Sequence, residues 1–238
     1  MLLYGIAKGG FAGGFGIVAV PLMALVVSPV QAAAILLPIL CVMDLFAVWV
    51  YRGQWVWREL KLIVPASLIG IGVGTLLFGY MSAEFIRLLL GTIAILFTLH
   101  HWWQRHGNPH GTLQLFGPGL GVAAAATSGF TSFIAHAGGP PLSMYLLRRG
   151  MTRTTFVATT AVFFTAVNYV KLVPYTWLGQ FDSTNLETSL WLSPLAPIGI
   201  FFGKWLHDRV SDNFFFRFAY AVLFLVGCKL IWDGLAGL

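Results

Sequence analysis

Apolar stretches of near-spanning length recur along almost the whole chain, four before residue 105 and four after residue 112. They run roughly over 2–27, 30–50, 62–80, 85–103, 113–147, 153–173, 189–206 and 213–234. Crossing the hydrocarbon core of a bilayer takes about 20 apolar residues. Only 9% of the 238 residues are charged, against about 25% in a soluble domain, so this chain cannot clothe a globule in polar surface. Lipid must be the solvent for most of its side chains, which leaves helices or a closed barrel as the spanning element. The stretches do not alternate polar and apolar as barrel strands do. The sequence therefore predicts an all-α integral membrane protein of eight helical segments. The apolar start runs into Gly-rich spanning sequence rather than a cleavage site, so no cleaved signal peptide is expected.

The formal charge of +6 sits in short loops, where it sets topology. No basic stripe with interleaved aromatics suggests nucleic acid. The expected partners are membrane lipid and a small anionic substrate, with pairing into a homodimer left open. No cofactor is expected. Cys41 and Cys228 both lie in apolar runs and read as packing residues. The histidines 100, 101, 106 and 110 fit no zinc spacing and read as solvated loop residues.

Two segments are unusual. Segment 2–27 is broken by Gly9, Gly10, Gly13, Gly14, Gly16 and Pro21, and segment 113–147 by Ser128, Gly129, Gly138, Gly139, Pro140 and Pro141. Gly and Pro at this density free backbone groups that lipid cannot satisfy, so this backbone must be buried in protein or face a watery cavity. The two halves also correspond: Gly10-Phe11 with Gly129-Phe130, Pro21-Leu22 with Pro141-Leu142, and Gly53-Gln54-Trp55 with Gly179-Gln180-Phe181. The common order points to two repeats, 1–106 and 107–238. The basic loop Arg52–Lys61 of the first half has an equivalent, 179–187, without Lys or Arg, whereas the second half carries Arg148, Arg149 and Arg153 at a different loop. The positive side switches, which requires an odd number of crossings per repeat and hence inverted topology. A re-entrant hairpin at 113–147, with arms of about 12–16 residues or about 18–24 Å, supplies the odd number. Segment 2–27 would mirror it. Two kinked single crossings, giving parallel repeats, are the alternative.

Ionisable groups at membrane depth are functional candidates. Lys8 lies in the first Gly-rich segment, Asp44 in mid-helix and His136 at the second hinge. Lys171, Lys204 and Lys229 lie nearer helix ends, where long stems snorkel to the headgroups. An excess of positive charge, with the amides of broken helices, favours an anion. The proposed substrate-binding set is Lys8, Gly13, Gly14, Ser128, Gly129, Thr131, Ser132, His136, Gly138 and Gly139. The hydroxyls could instead back-bond within their helix, and the glycines could serve close helix crossings. Asp44 either pairs with a base such as Lys8 or carries a coupling proton. His136 is a relay, a substrate donor or a buried hydrogen-bonded residue. By the repeat, Asp44 corresponds to Asn168 or Tyr169.

The Gly9-Gly10-Phe11-Ala-Gly13-Gly14-Phe-Gly16 run with Pro21-Leu22, the Gln31-Ala32 and Tyr51-Arg52-Gly53 positions, and Ser128-Gly129-Phe130 with Ala137-Gly138-Gly139-Pro140-Pro141 resemble the TSUP family, the TauE/SafE-like permeases. The resemblance implies a bacterial inner-membrane carrier of sulfite, sulfonates or related organosulfur anions. Sequence and resemblance together predict a secondary transporter working by alternating access, with a proton as coupling ion. A passive anion channel is the rival, and a membrane-embedded enzyme is a weaker one, since no acid–base or metal constellation is visible.

The loop charges place Arg58 and Arg149 in the cytoplasm and Asp182 outside. Single cysteines at these positions, probed in intact cells with an impermeant thiol reagent, should label at 182 alone. Labelling at 149 but not at 182 would contradict the inverted arrangement.

Overall fold

A computed structural model describes Gly5, Ile6, Lys8 and residues 19–106, 117–207 and 212–237. The described residues form α-helices and one 3-10 turn, with no strand among them. The helices are α1 (Ala19–Met23), α2 (Pro29–Val50), α3 (Trp57–Phe78), α4 (Ala83–His106), α5 (Pro118–Ala135), α6 (Gly139–Leu146), α7 (Arg153–Trp177), α8 (Ser183–Leu192), α9 (Leu195–His207) and α10 (Asp212–Ala236). Among them α2, α3 and α7 are long and apolar enough to cross a membrane.

Local chemistry sets the helix boundaries. The Ser28 hydroxyl caps α2 by accepting from the Gln31 N–H at 3.1 Å, and Pro29 fits the first helical position because its missing donor is not needed there. Thr152 caps α7 through the Thr155 N–H at 3.2 Å, and Asp182 caps α8 through the Asn185 N–H at 2.7 Å. Gly53 and Gly179, which the sequence matches between the halves, both turn the chain in the left-handed region, at φ 76° and 66°. Few other residues adopt that conformation without strain.

Segment 113–147 is two helices, α5 and α6, joined through His136. A Cβ on Gly121, near the start of α5, would lie 2.7 Å from the ring of Tyr145 at the end of α6. The chain therefore leaves this segment at the end where it entered. The arms are unequal, 18 and 8 residues, rather than the matched arms expected. Segment 189–206 is not one helix but α8 and α9. Pro194 cannot supply the N–H that would continue α8, and the Ser193 hydroxyl instead bonds the Ser189 carbonyl at 2.7 Å. In segment 2–27, Gly9, Gly10, Gly13, Gly14 and Gly16 lie outside the described residues, and Pro21 lies within α1.

Helix α2 is the axis of the protein, packing on α1, α7, α8 and α9. Around it, α3 packs on α5 and α4 on α10. Lipid gives helices no hydrophobic reason to associate, so small residues that let backbones touch must do so. Gly70 and Gly129 form the α3–α5 crossing, where a Cβ on Gly129 would collide with the Ser67 carbonyl. Gly91 meets the Gly227 carbonyl at the α4–α10 crossing, and Gly5 meets Gly199 where the N-terminal segment crosses α9. Gly234 of α10 likewise packs on α4, where a Cβ would lie 2.7 Å from Leu88 Cγ.

Gly129→Ala should destabilise the protein by about 1–3 kcal/mol through overpacking. Gly72→Ala, with no atom within 4 Å of the new methyl, should be neutral or stabilising by about 0.5–1 kcal/mol. Thermal melts in one detergent compare them, and equal melting would refute the close crossing.

Candidate functional site

Four segments meet at the middle of the protein. Lys8 comes from the N-terminal segment, Asp44 from α2, Ser132 and His136 from the end of α5, and Thr160, Asn168 and Lys171 from α7. All seven are buried. Lys8 forms an ion pair with Asp44 Oδ1 and approaches the Leu40 carbonyl at 3.5 Å. The other Asp44 oxygen accepts from Asn168 Nδ2 at 2.7 Å. Asp44 thus has the pairing partner that sequence offered as one alternative, and it also touches one of its two repeat-matched positions.

His136 ends α5 as a buried residue in the left-handed region, at φ 51° and ψ 26°. This is an unfavourable conformation for a residue with a Cβ. Three hydrogen bonds hold it there. Its N–H donates to the Ser132 carbonyl at 3.0 Å. Lys171 Nζ donates to Nδ1 at 2.7 Å, so Nε2 carries the ring proton and donates to the Ala33 carbonyl at 2.9 Å. Lys171 Nζ also donates to the Ser132 carbonyl at 2.9 Å and to Ser132 Oγ at 3.1 Å.

These groups surround a cavity of about 20 Å³ lined by Lys8, Leu40, Ser132, His136, Gly139, Val157, Thr160, Ala161, Phe164 and Asn168. That is space for about one water molecule. The Thr160 hydroxyl faces it buried and without a hydrogen-bond partner. Ser132 uses its oxygen to accept from Lys171, which leaves its O–H to donate.

Of the residues singled out by sequence, Lys8, Ser132, His136 and Gly139 line this cavity and Asp44 adjoins it. Ser128, Gly129, Thr131 and Gly138 do not line it. Ser128 Oγ donates to the Gly138 carbonyl at 2.6 Å, and Thr131 Oγ1 donates to the Thr127 carbonyl at 2.9 Å. A Cβ on Gly138 would lie 2.6 Å from the Ser128 carbonyl. Ser128 and Gly138 hold the hinge closed on itself, while Thr131 bonds back within α5 and Gly129 packs against Ser67 of α3. Pro140 and Pro141 have no N–H to offer an anion, so few amides remain free at the start of α6. Gly13 and Gly14 lie outside the described residues, as do the side chains of His100, His101, His106 and His110.

Lys171 was read from sequence as a snorkelling residue, and the structure corrects this. It is wholly inaccessible. Helix α7 continues through Pro174 to Trp177, which puts Lys171 well inside it. Its signal was present: Thr160, Phe164, Asn168 and Lys171 fall at intervals of four, four and three, one face of a helix.

A second cavity, of about 280 Å³, opens at the start of α3, lined by Arg58, Glu59, Leu62, Gly117, Pro118, Tyr145 and Arg149. Glu59 is buried and uses both oxygens: one accepts from Arg149 Nε at 2.8 Å and Nη2 at 2.7 Å, the other from the Tyr145 hydroxyl at 2.7 Å. The hydrogen bond to Glu59 holds the Arg149 guanidinium above its ordinary pKa. This places Arg58 and Arg149 at one end of the protein. Sequence reasoning missed the Glu59 network, because an acid in a basic loop reads as solvated.

The family model described as Sulfite exporter TauE/SafE matches residues 1–230. The chain belongs to this family. It is therefore a multi-pass membrane protein of a transporter family for sulfite and related organosulfur anions. No curated protein and no solved structure matches it. In this TauE/SafE chain the polar centre combines two lysines, one carboxylate, a histidine and free hydroxyls, a donor-rich set suited to an oxyanion.

The left-handed cap gives a local test. Both His136→Gly and His136→Ala lose the ring hydrogen bonds, but only Ala keeps the strained φ. The Gly variant should be the more stable by about 1 kcal/mol. An Ala variant that melts no lower would contradict this backbone assignment.

Proposed function

We propose that the chain is a secondary transporter of the bacterial inner membrane, carrying sulfite, a sulfonate or a related organosulfur anion by alternating access with a proton as coupling ion. Its moving parts are two inverted repeats, 1–106 and 107–238. The observation that carries this reading is the buried Lys8–Asp44–Asn168 cluster beside the Ser132 hydroxyl and the unpartnered Thr160 hydroxyl. Asn168, one of the two positions that the repeat offers as the match of Asp44, touches it, as residues beside a two-fold axis would. The shared left-handed turn at Gly53 and Gly179 supports the same symmetry. A cavity of only about 20 Å³ suits a carrier better than an open pore.

Lys8, Ser132, His136 and Gly139 are proposed to contact the anion, with Gly13 and Gly14 closing the site from the first hinge. Ser128, Gly129, Thr131 and Gly138 shape the second hinge. An incoming dianion such as sulfite competes with Asp44 for Lys8. Once it has lost its cation in a buried place, Asp44 gains proton affinity, so anion and proton load together. His136, the candidate relay, lines the cavity with both ring nitrogens engaged by Lys171 and the Ala33 carbonyl, so relay requires Lys171 to release Nδ1.

Sulfite flux into proteoliposomes tests this. Native protein should give saturable uptake and counterflow, accelerated by an inward proton gradient. Asp44→Asn should lose that acceleration but still bind sulfite. Flux rising linearly without saturation would contradict a carrier, and loss of all binding would make Asp44 structural rather than coupling.

A further inference from the structure

With Lys8 paired to Asp44, the buried site keeps one basic side chain that no acid answers. It is Lys171, on α7 three residues beyond Asn168. Its three contacts are the Ser132 carbonyl, the Ser132 hydroxyl and His136 Nδ1, and all are neutral. The ionisable groups facing it are Lys8 from the N-terminal segment, Cys41 and Asp44 from α2, and His136 from the hinge. Tyr175, four residues further along α7, spends its hydroxyl on the Phe133 carbonyl at 2.6 Å. Among the described side chains the other acids stand elsewhere: Glu59 on Arg149, Glu84 near Arg87, Asp233 on Lys229, and Asp182 and Glu187 exposed. Residues 9–18 contain no ionisable side chain. An unanswered charge at this depth is costly, and the cavity beside it is where an answering charge can sit.

We infer that the site takes a cargo of net charge minus one: either a monoanion alone, or a dianion together with one proton on Asp44. This rests on the anion-carrier reading and deepens it. A monoanion offsets Lys171 and leaves the Lys8–Asp44 pair in place. A dianion needs a second cation and draws Lys8 away from Asp44. The proton then comes from water and bonds to Asp44 Oδ1, the oxygen Lys8 has left, while Asn168 keeps its bond to Oδ2. The charges sum to zero in both loaded states. Lys171 does not line the cavity. It acts as a positioning charge through Ser132 and His136, and it decides whether a proton accompanies the substrate.

Calorimetry on purified protein near neutral pH, in two buffers of different ionisation enthalpy, counts protons taken up per ligand bound. Methanesulfonate and thiosulfate are the monoanionic and dianionic probes. Native protein should take up no proton with methanesulfonate and about one with thiosulfate. In Lys171→Met, methanesulfonate should bring about one proton, and thiosulfate affinity should fall about tenfold or more. Asp44→Asn should bind thiosulfate with no proton uptake. Equal proton uptake for the two probes in native protein would overturn the inference, as would a folded Lys171→Met protein with native proton counts. Binding of neither probe to native protein would overturn the anion-carrier reading along with it, which separates the two failures.

Discussion

Ionised groups cannot be left alone in hydrocarbon, and the centre of this protein is organised by that constraint. Lys8 and Asp44 neutralise one another, Asn168 satisfies the second carboxylate oxygen, and Lys171 is spread over a carbonyl, a hydroxyl and an imidazole. Replacing such a cluster with apolar side chains is often neutral or stabilising, so its presence is weak evidence about stability and stronger evidence about function. Each of the four described segments that reach the centre brings at least one member: the N-terminal segment, α2, the α5–α6 hinge and α7.

The broken helices follow from the same requirement. Backbone can depart from a helix at membrane depth only where protein satisfies it. At the second hinge the left-handed His136 is held by Ser132, Ala33 and Lys171, and the Gly138 carbonyl by Ser128. The break can then sit deep because the flanking helices approach closely, α3 against α5 at Gly70 and Gly129. Among the described residues glycine therefore serves mainly to bring helices together, and side chains rather than a cradle of amides supply most donors to the cavity.

Much of this was legible in the sequence. Charge poverty gave the membrane, the density of Gly and Pro gave the hinge at 113–147, and depth marked Lys8, Asp44 and His136. The roles of individual hinge residues were not legible, because Ser128 bonding backward and Ser128 facing a ligand have the same local sequence. Lys171 was misjudged because the helix end was placed at 173, before Pro174, whereas α7 runs to Trp177. Four residues changed a snorkelling lysine into a buried one. The split of α8 from α9 was missed because Pro194 lies in an otherwise continuous apolar run. Glu59 shows the opposite error: its partner Arg149 is 90 residues away, and no local pattern announces such a pairing.

The central claim is that an oxyanion sits among Lys8, Ser132, Thr160, His136 and Asn168. Selenite has the shape and charge of sulfite and carries an anomalous scatterer. Diffraction from crystals grown with it, recorded at the selenium edge, locates the anion directly. The account predicts an anomalous peak within hydrogen-bonding reach of Lys8 Nζ and Ser132 Oγ, at the middle of the protein. A peak confined to the cavity between Arg58 and Arg149, with none at the centre, would contradict it.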